Sequence, residues 1–156
     1  LAEAETRTIF ILPGAPQTRL PPGNYSFVEM FCNERGCDCR RVFFYVVSSF
    51  RKGPEAVIAW GWESPEFYAR WLKSGDPDMA GLLRGPCLNP GSPATELAGG
   101  ILKLVGEILL RDDLYVERVK RHYRLFRNII DGKAGKPRTG AASTKRKRKG
   151  KRKRRP

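Results

Sequence analysis

The chain has 156 residues, 40% of them apolar, which suits one domain with a true core. Its formal charge of +14 comes almost wholly from the end, because the residues after Asp131 hold 13 of the 30 basic side chains and no acid. The remainder is near-neutral, so electrostatic steering toward polyanions belongs to that end and not to the fold, and no apolar run reaches the roughly 18 to 20 residues that span a bilayer.

The amino terminus, "LAEAETRTIF", has acids where a signal peptide carries bases and lacks a long apolar stretch. It reads as an intracellular, cytoplasmic protein, and Leu1 in place of Met points to a trimmed or alternatively started chain. "TRTIFIL" (6–12) is a short β-branched strand followed by a Pro/Gly-rich loop. In "YSFVEMF" (25–31) Tyr25, Phe27, Glu29 and Phe31 share one face, with Ser26, Val28 and Met30 on the other. "RVFFYVVSSF" (41–50) suits a central strand, and "AVIAWGW" (56–62) continues an antiparallel meander.

After Glu63 the pattern turns helical. Ser64 before Pro65 and Asp76 before Pro77 are helix starts, an N-cap followed by proline at the first helical position. The first of these helices carries Phe67, Trp71 and Leu72 at helical spacing. The aromatic-rich "AWGWESPEFYARW" reads as packing between sheet and helix. "GPCLNPGSP" is a loop holding Cys87. A helix is expected from Ser92, with Leu97, Ile101, Leu104, Val105 and Ile108 on one side. The last helix begins at Asp112–Asp113 and places Tyr115, Val119, His122 and Phe126 on one stripe, so that the chain's single histidine faces inward.

Residues 32–41, "CNERGCDCRR", gather three of the four cysteines between two predicted strands. In a reducing compartment such a cluster favours metal or redox chemistry over structural disulfides. Zn²⁺ takes four N or S ligands in a tetrahedron, and a hairpin knuckle supplies two or three of them. Cys32, Cys37 and Cys39 are the candidate ligands, and Gly36 permits the turn. The fourth position has two candidates, His122 and Cys87, and the spacing does not choose between them. Arg35, Arg40 and Arg41 would offset the negative charge of a thiolate–metal centre. A redox thiol set is the alternative, since nearby arginines favour thiolate, but "CDC" lacks the CxxC geometry of a helix amino terminus. A cysteine nucleophile would need His122 as its base, and no orienting partner for it is evident.

The hairpin residues Cys32, Cys37, Asp38, Cys39, Arg40 and Arg41, with "GWESPEFYARW" (61–71) and "YVERVKRHYRLF" (115–126), resemble a family of small uncharacterised bacterial proteins sharing a C-x4-C-D-C-R-R hairpin. The resemblance spans roughly residues 20 to 130. It implies a common α+β domain and metal binding without an established activity, and the pairing of the hairpin with the "RHY" helix favours His122 as fourth ligand.

Residues 145–156, "KRKRKGKRKRRP", place 10 positive charges in 12 residues: Lys145, Arg146, Lys147, Arg148, Lys149, Lys151, Arg152, Lys153, Arg154 and Arg155. Without interleaved aromatics they would grip nucleic acid or another polyanion through counterion release, without reading sequence. The expectation is therefore an α+β domain over 1–131 and a disordered basic tail over 132–156. The domain is an antiparallel sheet of three or four strands followed by helices packed on one face, with a cysteine-rich, zinc-binding hairpin. Its function reads as a non-catalytic binding or accessory module with a structural zinc site and loose nucleic-acid affinity, touching no membrane. A thiol-based redox sensor or enzyme is the alternative.

Overall fold

The structure, a computed structural model, describes residues 5–14, 19–73 and 76–132. Five antiparallel strands follow one another in chain order: β1 Arg7–Ile11, β2 Gly23–Met30, β3 Arg41–Ser48, β4 Pro54–Gly61 and β5 Cys87–Leu88. Between β4 and β5 lie helices α1 (Pro65–Leu72) and α2 (Pro77–Arg84). After β5 come α3 (Ala98–Glu107), a 3₁₀ turn (Leu109–Arg111) and α4 (Asp113–Ile130).

The period-two pattern sets the register. Phe27 stands opposite Val46 and Val46 opposite Ala56, while Glu29 pairs with Phe44 and Phe44 with Ile58. A slip of one residue would turn this whole apolar face to solvent. Tyr25, Phe27, Val42, Phe44, Val46 and Ile58 form one buried cluster with Ile101, Leu104 and Val105 of α3 and with Tyr115 and Val119 of α4. Each such side chain contributes about 1.5–3 kcal/mol by leaving water.

The helix starts expected from sequence are built as caps. Ser64 accepts from the Phe67 amide at 3.4 Å, Asp76 from Asp78 at 2.9 Å and Asp112 from Tyr115 at 3.1 Å. Other expectations shift. The α1 residue that is fully buried is Tyr68, while Trp71 is exposed. Tyr68 lies over Gly61, on the sheet face opposite the main core, because a Cβ at Gly61 would overlap its phenol. The segment from Ser92 stays out of helix until Ala98. Its Thr95 amide and hydroxyl bind Glu55 instead, at 2.9 Å to the carbonyl and 2.8 Å to the carboxylate. Part of the loop around Cys87 is a fifth strand, Cys87 pairing with Ala59 and Leu88 with Ile58. Among the described residues no helix is long and apolar enough to cross a membrane.

Candidate metal centre

Residues 31–40 bridge β2 and β3 as a knuckle. It turns at Gly36, whose φ of 73° is left-handed, with the Cys37 amide bonded to the Glu34 carbonyl at 3.3 Å. Arg40 at the exit also has a left-handed φ, 47°, an uncommon position for a residue with a side chain. Both of its backbone groups are held by tyrosines, the amide donating to Tyr123 Oη at 3.3 Å and the carbonyl accepting from Tyr68 Oη at 2.9 Å.

The result is that Cys32, Cys37 and Cys39 bring their sulfurs within 4.8 Å of one another, a group that could hold a metal ion. A Zn–S distance of about 2.3 Å implies sulfurs about 3.8 Å apart in a tetrahedron. The three thiols are therefore no more than about 1 Å from ligating spacing. Cys39 is buried and Cys32 and Cys37 half-buried. Burial, joined by the neighbouring Cys37, pushes the Cys39 thiol up to about 12. Burial and a hydrogen bond with Cys32 also push Cys37 up.

The end of α4 underpins the knuckle. Arg127, with only 8% of its side chain exposed, donates through Nη1 to the carbonyls of Cys32 at 3.0 Å and Glu34 at 2.9 Å. Its Nη2 binds Asp131 at 2.6 Å, and Asp131 accepts from the Gly36 amide at 3.0 Å. The Tyr123 ring packs edge-on against Phe31 and Trp62, with centroids 5.9 and 5.0 Å away. Between the knuckle and this part of α4 lies an open groove of about 730 Å³, lined by Cys37 and Asp38 on one side and Arg124 and Asn128 on the other.

The candidates for the fourth ligand lie elsewhere. Cys87 is on β5 and directs its thiol to the Leu82 carbonyl at 3.2 Å. His122 is held between two carboxylates, Nδ1 at 2.7 Å from Glu29 and Nε2 at 2.8 Å from Glu5. Neither belongs to the group of converging thiols among the described residues. The sequence stripe through His122 and Phe126 is turned slightly in the fold, where Tyr115, Val119, Tyr123 and Arg127 form the buried row. Arg40 is not aimed at the thiols as charge compensation. Its guanidinium forks onto Asp38 at 3.0 and 2.9 Å, reaches Glu63 at 3.1 Å and stacks 4.7 Å from the Phe67 ring. Those hydrogen bonds, to Asp38 first, hold it firmly charged. Arg41 instead lies over the Phe43 ring at 5.2 Å.

Sequence reasoning did not find Arg127, Tyr123 and Asp131 as supports of the hairpin. The available signal was an arginine in an apolar row, four residues before an acid. The tail residues Lys145 to Arg155 lie outside the described residues. Compared with known proteins, the chain matches no family model, no curated protein and no solved structure.

Proposed function

We propose that this protein is a small metal-binding accessory module. Cys32, Cys37 and Cys39 take up a zinc ion that ties β2 to β3, and the basic segment at 145–156 gives loose, sequence-independent affinity for nucleic acid. The observation that carries the metal reading is the convergence of three sulfurs within 4.8 Å on a knuckle whose backbone α1 and α4 already hold. Thiolate ligands suit zinc among the divalent metals, and a preformed site lowers the ordering cost of binding it. The redox alternative draws on the same proximity, but burial pushes the Cys37 and Cys39 thiols up, away from the reactive thiolate form.

Metal analysis of the purified full chain, combined with thiol titration under native conditions, separates the two. One zinc per chain, with three thiols that react only after chelation, supports the module. Zinc-free protein with a rapidly alkylated, low-pKa thiol overturns it in favour of redox chemistry.

A further inference from the structure

A tetrahedral ion held by three thiolates lacks one ligand, and the chain has few donors left to supply it. Outside the hairpin the only cysteine or histidine side chains are Cys87 and His122. Cys87 lies two strands away from β3, about 10 Å at ordinary strand spacing, with its thiol on a carbonyl. His122 has both ring nitrogens on carboxylates. Of the nearby acids, Asp38 is engaged by Arg40 and Asp131 by Arg127 and the Gly36 amide, while the exposed Glu34 carboxylate does not join the converging donors among the described residues. The residues outside those described add no cysteine or histidine and a single acid, Glu3.

Cys37 is the ligand that lines the groove between knuckle and α4. Arg35 and Arg124 also line it, both exposed, and among the described residues neither side chain makes a hydrogen bond or ion pair. Arg124 acts on Glu117 only through space. The groove's two carboxylates, by contrast, are each bonded to another arginine. Two uncommitted guanidinium forks thus share a groove with Cys37 of the thiol cluster. Such forks match the planar or triangular oxygen arrays of carboxylates and phosphates. Three protein ligands and one exchangeable position is the pattern of zinc sites that bind an outside molecule, in contrast to closed structural ones.

We propose that the metal held by Cys32, Cys37 and Cys39 keeps its fourth position for a small oxyanion, a carboxylate or phosphate monoester, that enters by the groove and is gripped by Arg35 and Arg124. This rests on the metal-binding reading above and extends it from a fold-stabilising ion to a ligand-binding one.

The test uses the full chain loaded with Co²⁺, whose sulfur-to-cobalt charge-transfer band reports the thiolates and whose d–d bands report the fourth ligand. Acetate and phenyl phosphate are titrated at constant ionic strength. The expected result is a saturable change in the d–d bands with the charge-transfer band retained, and whichever anion saturates first identifies the headgroup. Arg35→Ala combined with Arg124→Ala weakens that response by about tenfold or more, the loss of a charge-assisted hydrogen bond, with the circular dichroism unchanged. Cys87→Ser and His122→Gln leave the cobalt spectrum as it was. Cobalt-bound protein whose d–d bands ignore both anions, an undiminished response in the arginine variant, or an altered spectrum in Cys87→Ser each overturns the anion site while leaving the metal reading intact. Failure to bind cobalt stoichiometrically overturns both.

Discussion

Gly61 and Tyr68 form a lock that depends on a missing atom. The Tyr68 phenol occupies the space where a Cβ at Gly61 would stand, and from there it donates to the Arg40 carbonyl. Gly61→Ala is expected to cost about 1–3 kcal/mol by overpacking and to loosen the exit of the knuckle. Urea denaturation gives the cost, and the Arg40 amide resonance reports the loosening. Glu55 is a second such point, a carboxylate with no exposure that accepts from Ser48 Oγ at 2.6 Å and Thr95 Oγ1 at 2.8 Å. Thr95→Val preserves shape and removes one of those donors, so a loss of about 1–3 kcal/mol in urea denaturation at pH 7 is expected. The sequence marked neither residue. Gly61 reads as one more small residue in an apolar strand, and Glu55 as part of a polar turn, because both roles depend on partners brought in from other elements.

At the scale of elements, α4 does more than cover the sheet. The first half of its apolar stripe, Tyr115 and Val119, was legible from periodicity, and so were its start at Asp112 and the alternation of β2 that buries Tyr25 and Phe27. The charged end of the buried row was not, since Arg127 declares itself only when the Cys32 and Glu34 carbonyls stand opposite it. The clustering of three cysteines was readable because they are close in sequence, whereas the whereabouts of Cys87 and His122 depended on strand order and helix rotation. Arg127→Met should leave the helix content intact and lower metal affinity by about 10- to 100-fold, as loss of a group that orients ligands does. Competition with a chelator measures it. The same helix clamps the segment before β1 through Glu5, His122 and Arg121. The His122 hydrogen bond holds the Glu5 carboxyl below its usual range. A depressed carboxylate stabilises the fold above its unfolded pKa, and the contribution is lost as pH falls through the folded one. The stability difference between wild type and Glu5→Gln should therefore be present at pH 7 and vanish on acidification below the ordinary carboxylate range. Urea midpoints across that range provide the check.

For the whole molecule, charge is spread unevenly along the chain, with near-neutral residues to Asp131 and a run of bases after it. If the polyanion affinity belongs to that run, a chain ending at Gly132 should keep its metal and its urea midpoint but lose binding to duplex DNA at physiological salt. For the full chain, log affinity should fall linearly with log salt, by about 0.9 for each phosphate contacted. Fluorescence anisotropy at several salt concentrations tests both, and undiminished binding by the shortened chain would reassign the affinity to the domain. Strand order gives a last consequence. Each strand pairs with its neighbour in the chain, so the sheet can zip up as the polypeptide leaves the ribosome. The knuckle has its brace from α1 28 residues on, but the side chains that brace it from α4 are 83 to 95 residues further on. During synthesis the three thiols are thus made early and fully braced late.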